Sequence, residues 1–173
     1  PEPMTSVLYV DADSTYDISE GDSGTSWATA LPDLEDAYDL IPIINEGRDP
    51  ADFIQTIWIA EGVYLPRVHS DADNDGLIDD DDVRSKTFTL LDGVSIYGGF
   101  AGDEADLASR HGGATILSGD LNRDDATGGD NSENAYTVVT VSFPEKTTIL
   151  DSVTITGGNA NCDDPYWVCA GVY

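Results

Sequence analysis

Residues 71–82 read Asp-Ala-Asp-Asn-Asp-Gly-Leu-Ile-Asp-Asp-Asp-Asp, with carboxylates at loop positions 1, 3, 5, 9 and 12, glycine at 6 and an apolar residue at 8. A calcium ion needs six to eight hard oxygens about one centre, and a chain can present them from alternate side chains while glycine makes the sharp reversal. The expected ligands are the side chains of Asp71, Asp73, Asp75, Asp79 and Asp82 and the carbonyl of Leu77. Asp82 stands where an EF-hand carries Glu, and no helical pattern flanks the loop. The segment therefore reads as a calcium loop inserted between strands. The plainer alternative is a solvated acidic turn, in which so many carboxylates would repel one another unless a cation were present.

Two weaker acidic sets follow the same logic. Asp120, Asn122, Asp124 and Asp125 could hold a second cation, as could Asp11, Asp13, Asp17 and Asp22; otherwise their side chains cap their own turns. Catalytic groupings are scarce. His69 and His111 stand alone in the sequence, with no metalloprotease helix motif or nucleophile elbow near them. Asp120 with Asp124 or Asp125 is the one carboxylate pair to weigh for glycoside hydrolysis, and among 34 acids a close pair means little. The two lysines, Lys86 and Lys146, offer a polysaccharide lyase little choice of base. Trp27, Trp58, Tyr166 and Trp167 could stack on sugar rings, although Trp27 and Trp58 sit in apolar runs that suit a core. No catalytic residue is assigned. Cys162 and Cys169 lie too few for a zinc site and too far apart for a redox motif, so a small loop disulfide in an oxidising compartment is expected.

The elements that must position these groups are set by composition. The chain has 173 residues, 34 acidic and 7 basic, for a net charge of −27. That excludes the basic footprint of a nucleic-acid binder and disfavours an anionic membrane surface. With 40% apolar residues a core is affordable, and no stretch nears the roughly 18–20 apolar residues that span a bilayer. The acids are 26 Asp against 8 Glu. Asp favours turns and oxygen-ligand loops over helices, although a saline habitat would select the same balance.

Residues 7–10 and 57–60 read as strands, and residues 27–44 carry apolar side chains at three- and four-residue intervals, predicting an amphipathic helix that Pro42 kinks or ends. The segment Thr89-Leu-Leu-Asp-Gly-Val-Ser-Ile-Tyr-Gly-Gly-Phe-Ala101 overlays Thr148-Ile-Leu-Asp-Ser-Val-Thr-Ile-Thr-Gly-Gly-Asn-Ala160 with eight of thirteen identities at an offset of 59. Strands at residues 114–119 and 136–141 divide that offset into three steps near 20. Such a period predicts a parallel β-solenoid whose coils stack and share one column of inward side chains. A β-sandwich is the competing fold. The 27–44 helix would cap the first coil, and the chain, which opens on Pro1 without a signal sequence, is expected to be a processed piece of a longer product.

Several segments are familiar together: Tyr9-Val10-Asp11-Ala12-Asp13, Gly24-Thr25-Ser26-Trp27-Ala28-Thr29-Ala30, Trp58-Ile59-Ala60-Glu61-Gly62-Val63-Tyr64, Ile96-Tyr97-Gly98-Gly99-Phe100-Ala101-Gly102 and Ile116-Leu117-Ser118-Gly119-Asp120. They resemble the N-terminal region of bacterial secreted right-handed parallel β-helix surface proteins, a pectate-lyase-like group that includes polymorphic-outer-membrane-type repeat proteins. The resemblance implies export and an extracellular or cell-surface role, and it transfers no catalytic site. The resulting expectation is an all-β right-handed parallel β-helix of one domain over residues 1–173. Strand, loop and capping helix would occupy 1–50 and solenoid coils 51–173, with the calcium insertion at 70–86. Functionally it would be a secreted, calcium-stabilised structural or adhesive protein that self-associates into a filament or layer. The alternative is part of a polysaccharide-active enzyme or a carbohydrate-binding module.

Overall fold

Alternating side chains build the first sheet. The computed structural model describes residues 6–17, 23–67, 83–141 and 145–161, and within them the strands are short and their pairing parallel. Strands β1 (Val7–Val10), β2 (Thr56–Ala60), β5 (Ser95–Phe100) and β8 (Leu150–Asp151) form one sheet in the order β1-β2-β5-β8. Its register places Leu8 beside Ile57, Ile57 beside Ile96 and Ile96 beside Leu150. Successive residues face opposite sides of a strand, so this aliphatic ladder makes one face, with Leu8 and Ile57 fully buried. The other face is aromatic: Tyr9 meets Trp27 edge-on at 4.9 Å and Trp58 stacks on Phe100 at 4.8 Å. Burying a side chain of the Ile57 kind contributes about 1.5–3 kcal/mol.

Strands β3 (Gly62–Tyr64), β6 (Thr115–Ser118) and β9 (Val153–Thr156) form a second sheet, and β4 (Phe88–Leu90) with β7 (Val139–Val141) a third. By compactness the chain divides into two units interleaved in sequence. One comprises residues 1–64, 91–116 and 143–154, and the other residues 65–90, 117–142 and 155–173. The first holds the four-stranded sheet. The second holds the β4–β7 pair, where Phe88 lies beside Val139 and both are buried.

Helix α1 (Leu34–Asn45) lies in the connection between the parallel neighbours β1 and β2, the β-α-β crossover that parallel pairing requires. Asp33 caps it by accepting from the Glu35 N–H at 3.0 Å, and Glu35 and Asp36 suit the positive end of its dipole. Leu34, Ala37, Tyr38 and Ile41 turn inward. Asn45 closes the last turn by exchanging two hydrogen bonds with the Ile54 backbone, at 2.8 and 3.0 Å.

Two expectations are corrected. The helix does not begin at Trp27: residues 27–29 make a single 3-10 turn, and Leu31 bridges to Val10 through hydrogen bonds with Tyr9 and Asp11 of 2.9 and 2.8 Å. Burying Leu31 against β1 outweighs its place in the helical period. The all-β right-handed parallel β-helix, a solenoid with a capping helix, is also not the fold indicated. About 20% of the described residues are helical and 26% are strand, in three small parallel sheets of α/β type. A regular coil would repeat one pairing offset. Here the offsets are 49 for β1–β2, 39 for β2–β5, 51 for β4–β7 and 54 for β5–β8. The 59-residue internal similarity therefore does not set the register, and α1 serves a crossover rather than an end cap.

Candidate metal centre

Several sites expected from sequence lie outside the described residues: the calcium loop of Asp71, Asp73, Asp75, Leu77, Asp79 and Asp82, the Cys162–Cys169 disulfide, and His69, Asp22, Tyr166 and Trp167. Asp11 is described and caps its own turn, accepting from the Asp13 N–H at 2.9 Å.

The second acidic set does converge. β6 hands the chain to Gly119, whose N–H donates to the Thr156 carbonyl at 2.9 Å and whose carbonyl accepts from Ala135 at 2.8 Å. The next residue, Asp120, folds its carboxylate back onto the chain and accepts from the N–H groups of Asp124 and Asp125 at 3.1 and 3.3 Å. Arg123 adopts φ 58° to permit that reversal. A 3-10 turn, Asp125–Thr127, follows and ends at Gly128, with φ 91°. Gly129 then donates to the Asp124 carbonyl at 3.0 Å, and a Cβ at this position would collide with the Asp124 carboxylate. The chain returns through Asp130, which caps Ser132 at 2.8 Å, and delivers Glu133 and Asn134 to the same place.

The carboxylate oxygens of Asp120, Asp124, Asp125 and Glu133 can be chosen so that all lie within 4.8 Å of one another. Opposite ligands of a calcium ion, bonded at about 2.3–2.6 Å, stand about 4.6–5.2 Å apart, so one ion can bridge the group. Three oxygens there are buried with no hydrogen-bond donor: Asp124 Oδ1, Glu133 Oε1 and Asn134 Oδ1. Buried acceptors normally find a partner, and a hard cation would serve all three. Asn122 is exposed. The pairing of Asp120 with Asp124 or Asp125 does not suit general acid–base work, because both Asp120 oxygens are committed to backbone N–H groups of its own turn.

Glu133 and Asn134 were not among the residues singled out by sequence. The signal that could have found them is the Gly128-Gly129 pair, which lets the chain double back on the Asp run within a few residues.

A further group, Asp103, Glu104 and His111, was also missed. Glu104 is 6% exposed and accepts from the N–H groups of Ala101, Gly102, Asp103 and His111 at 2.8–3.1 Å and from the His111 ring Nδ1 at 2.7 Å. Burial alone would push its carboxyl up, but these donors outweigh burial and hold it at about 2. The His111 ring is raised above its ordinary range, first by the Glu104 hydrogen bond and then by the Asp103 charge 3.5 Å from Nε2. Five donors occupy Glu104, so this group holds a loop together. The backbone donors come from residues 101–103 and 111.

No protein-family model, curated protein or solved structure matches the chain, so its fold and its candidate centre are read from its own residues.

Proposed function

We propose that the chain is a calcium-stabilised structural or adhesive module of the cell exterior. The observation that carries this reading is the convergence of Asp120, Asp124, Asp125 and Glu133 around buried oxygens that no donor satisfies. The second acidic loop, residues 71–82, has the ligand spacing of another calcium site. An exterior setting suits both, because weak all-oxygen sites fill only where calcium is plentiful. No helix among the described residues is long and apolar enough to cross a membrane.

The test is a melting curve of the full chain after chelator treatment, with and without added calcium. At a hundredfold excess over Kd, a site present only in the folded state contributes about 2.7 kcal/mol. For a chain of this length that should raise Tm by about 5–10 °C. The double variant D124N/E133Q should lose part of the rise. An identical melt in chelator and in calcium would overturn the reading.

Self-association belongs to the same proposal. Copies carrying −27 repel one another, and divalent cations bridging their acidic loops would remove that barrier.

A further inference from the structure

We infer that Asn134 is itself a calcium ligand, presenting a neutral side-chain oxygen to the ion held by Asp120, Asp124, Asp125 and Glu133. This rests on the cation reading above and goes beyond it by assigning a ligand that carries no charge. Asn134 is 1% exposed. Its amide Nδ2 donates to Asp125 Oδ2 at 2.8 Å, which aims the carboxamide at the carboxylates. The Oδ1 atom of that same planar group is buried and accepts nothing. An amide so placed has one end bonded to a carboxylate and the other without a donor, and Asp124 Oδ1 and Glu133 Oε1 are buried and without a donor as well. A cation is the partner that satisfies all of them at once.

The backbone on either side of this residue is held by further bonds. Arg84 Nε donates to the Asn134 carbonyl at 2.8 Å, and its guanidinium lies 4.0 Å above the Tyr136 ring. Tyr136 N–H donates back to the Arg84 carbonyl at 2.9 Å, and Ala135 N–H to Gly119 at 2.8 Å. The ligand from residue 134 is thus set by the strand side of the loop, while three of the carboxylates come from the turn at 120–125. Four carboxylates already exceed the charge of one divalent ion, so a neutral fifth ligand adds an oxygen without further repulsion. An all-oxygen set of this kind suits calcium over softer metals.

The experiment titrates calcium alone into chelator-treated full chain by calorimetry, for wild type, N134A and N134D, and melts each protein in chelator and in calcium. Removing the oxygen in N134A should weaken one class of site by roughly 10- to 100-fold, the loss typical when a metal centre loses a supporting group. N134D keeps the oxygen and the volume but adds a charge. It should melt below wild type in chelator and gain more from calcium than wild type gains. A residue with a merely structural role would lower both melts equally and leave the calcium shift unchanged. That outcome, or N134A binding calcium as wild type does, overturns the assignment of Asn134 alone. If wild type binds no calcium, the cation reading itself falls. N134D preserves the packing, so the comparison of calcium shifts decides the matter even where N134A does not fold.

Discussion

Glu104 shows how one buried carboxylate can organise a short loop, taking donors from residues 101–103 and 111. Its folded carboxyl sits at about 2 against an ordinary 4.5, so its contribution is complete above the ordinary value and is lost as pH falls from there towards 2. His111 runs the other way. Its raised value means that its contribution is complete below the ordinary histidine range and is lost as pH rises through the folded value. A melting profile across pH should therefore fall on the acid side below pH 4.5, with the H111A variant losing its alkaline slope. The E104Q variant turns an amide N–H₂ towards N–H donors and should cost about 1–3 kcal/mol at neutral pH by denaturant melting. At this scale the sequence was partly legible. Asp120, Asp124 and Asp125 could be picked out because they are near neighbours in the chain. Asn122 was included on spacing alone, yet its position leaves it exposed. Glu133 and Asn134 come to the site only through the reversal at Gly128-Gly129, and the Glu104–His111 pair, seven residues apart, only through the path of the loop between them, so neither follows from helix or strand periodicity.

The elements were read more securely than their boundaries. Residues 7–10 and 57–60 were expected as strands and are parallel neighbours in the four-stranded sheet. The helix was recognised from its period, but the start was placed seven residues early. Leu31 and Ala30 are apolar enough to extend the pattern, and only the pairing of Leu31 with β1 shows that they belong elsewhere. Pro42 lies inside α1 near its end, where few hydrogen bonds remain to be lost. Two substitutions test these assignments. D33A removes the cap of α1 and should cost about 1 kcal/mol. I57A opens a hole at the centre of the aliphatic ladder and should cost about 2–5 kcal/mol. If both variants melt with the wild type, α1 and the ladder are not the stabilising elements described.

For the whole molecule, the composition was a better guide than the repeat. A charge of −27 with an excess of Asp pointed to acidic loops, and such loops are present. The eight identities at an offset of 59 suggested stacked coils, whereas Ile96 is paired with Leu150, 54 residues on. Similar short strands ending in Gly-Gly can share a local conformation without sharing a register. Register is chosen by the face that must be buried, and here that choice lines up Leu8, Ile57, Ile96 and Leu150. Sedimentation of the full chain should show monomers in chelator and larger species in millimolar calcium. Unchanged sedimentation would remove the assembly from the proposal.

Gly129 lies against the Asp124 carboxylate with no room for a single extra carbon. A methyl group there would force the Asp124 carboxylate to shift while leaving every acid in the sequence untouched. The proposed cation site can thus be disturbed by a change that no count of aspartates would notice. Chains compared with this one are best sorted first by whether that position has kept its hydrogen atom.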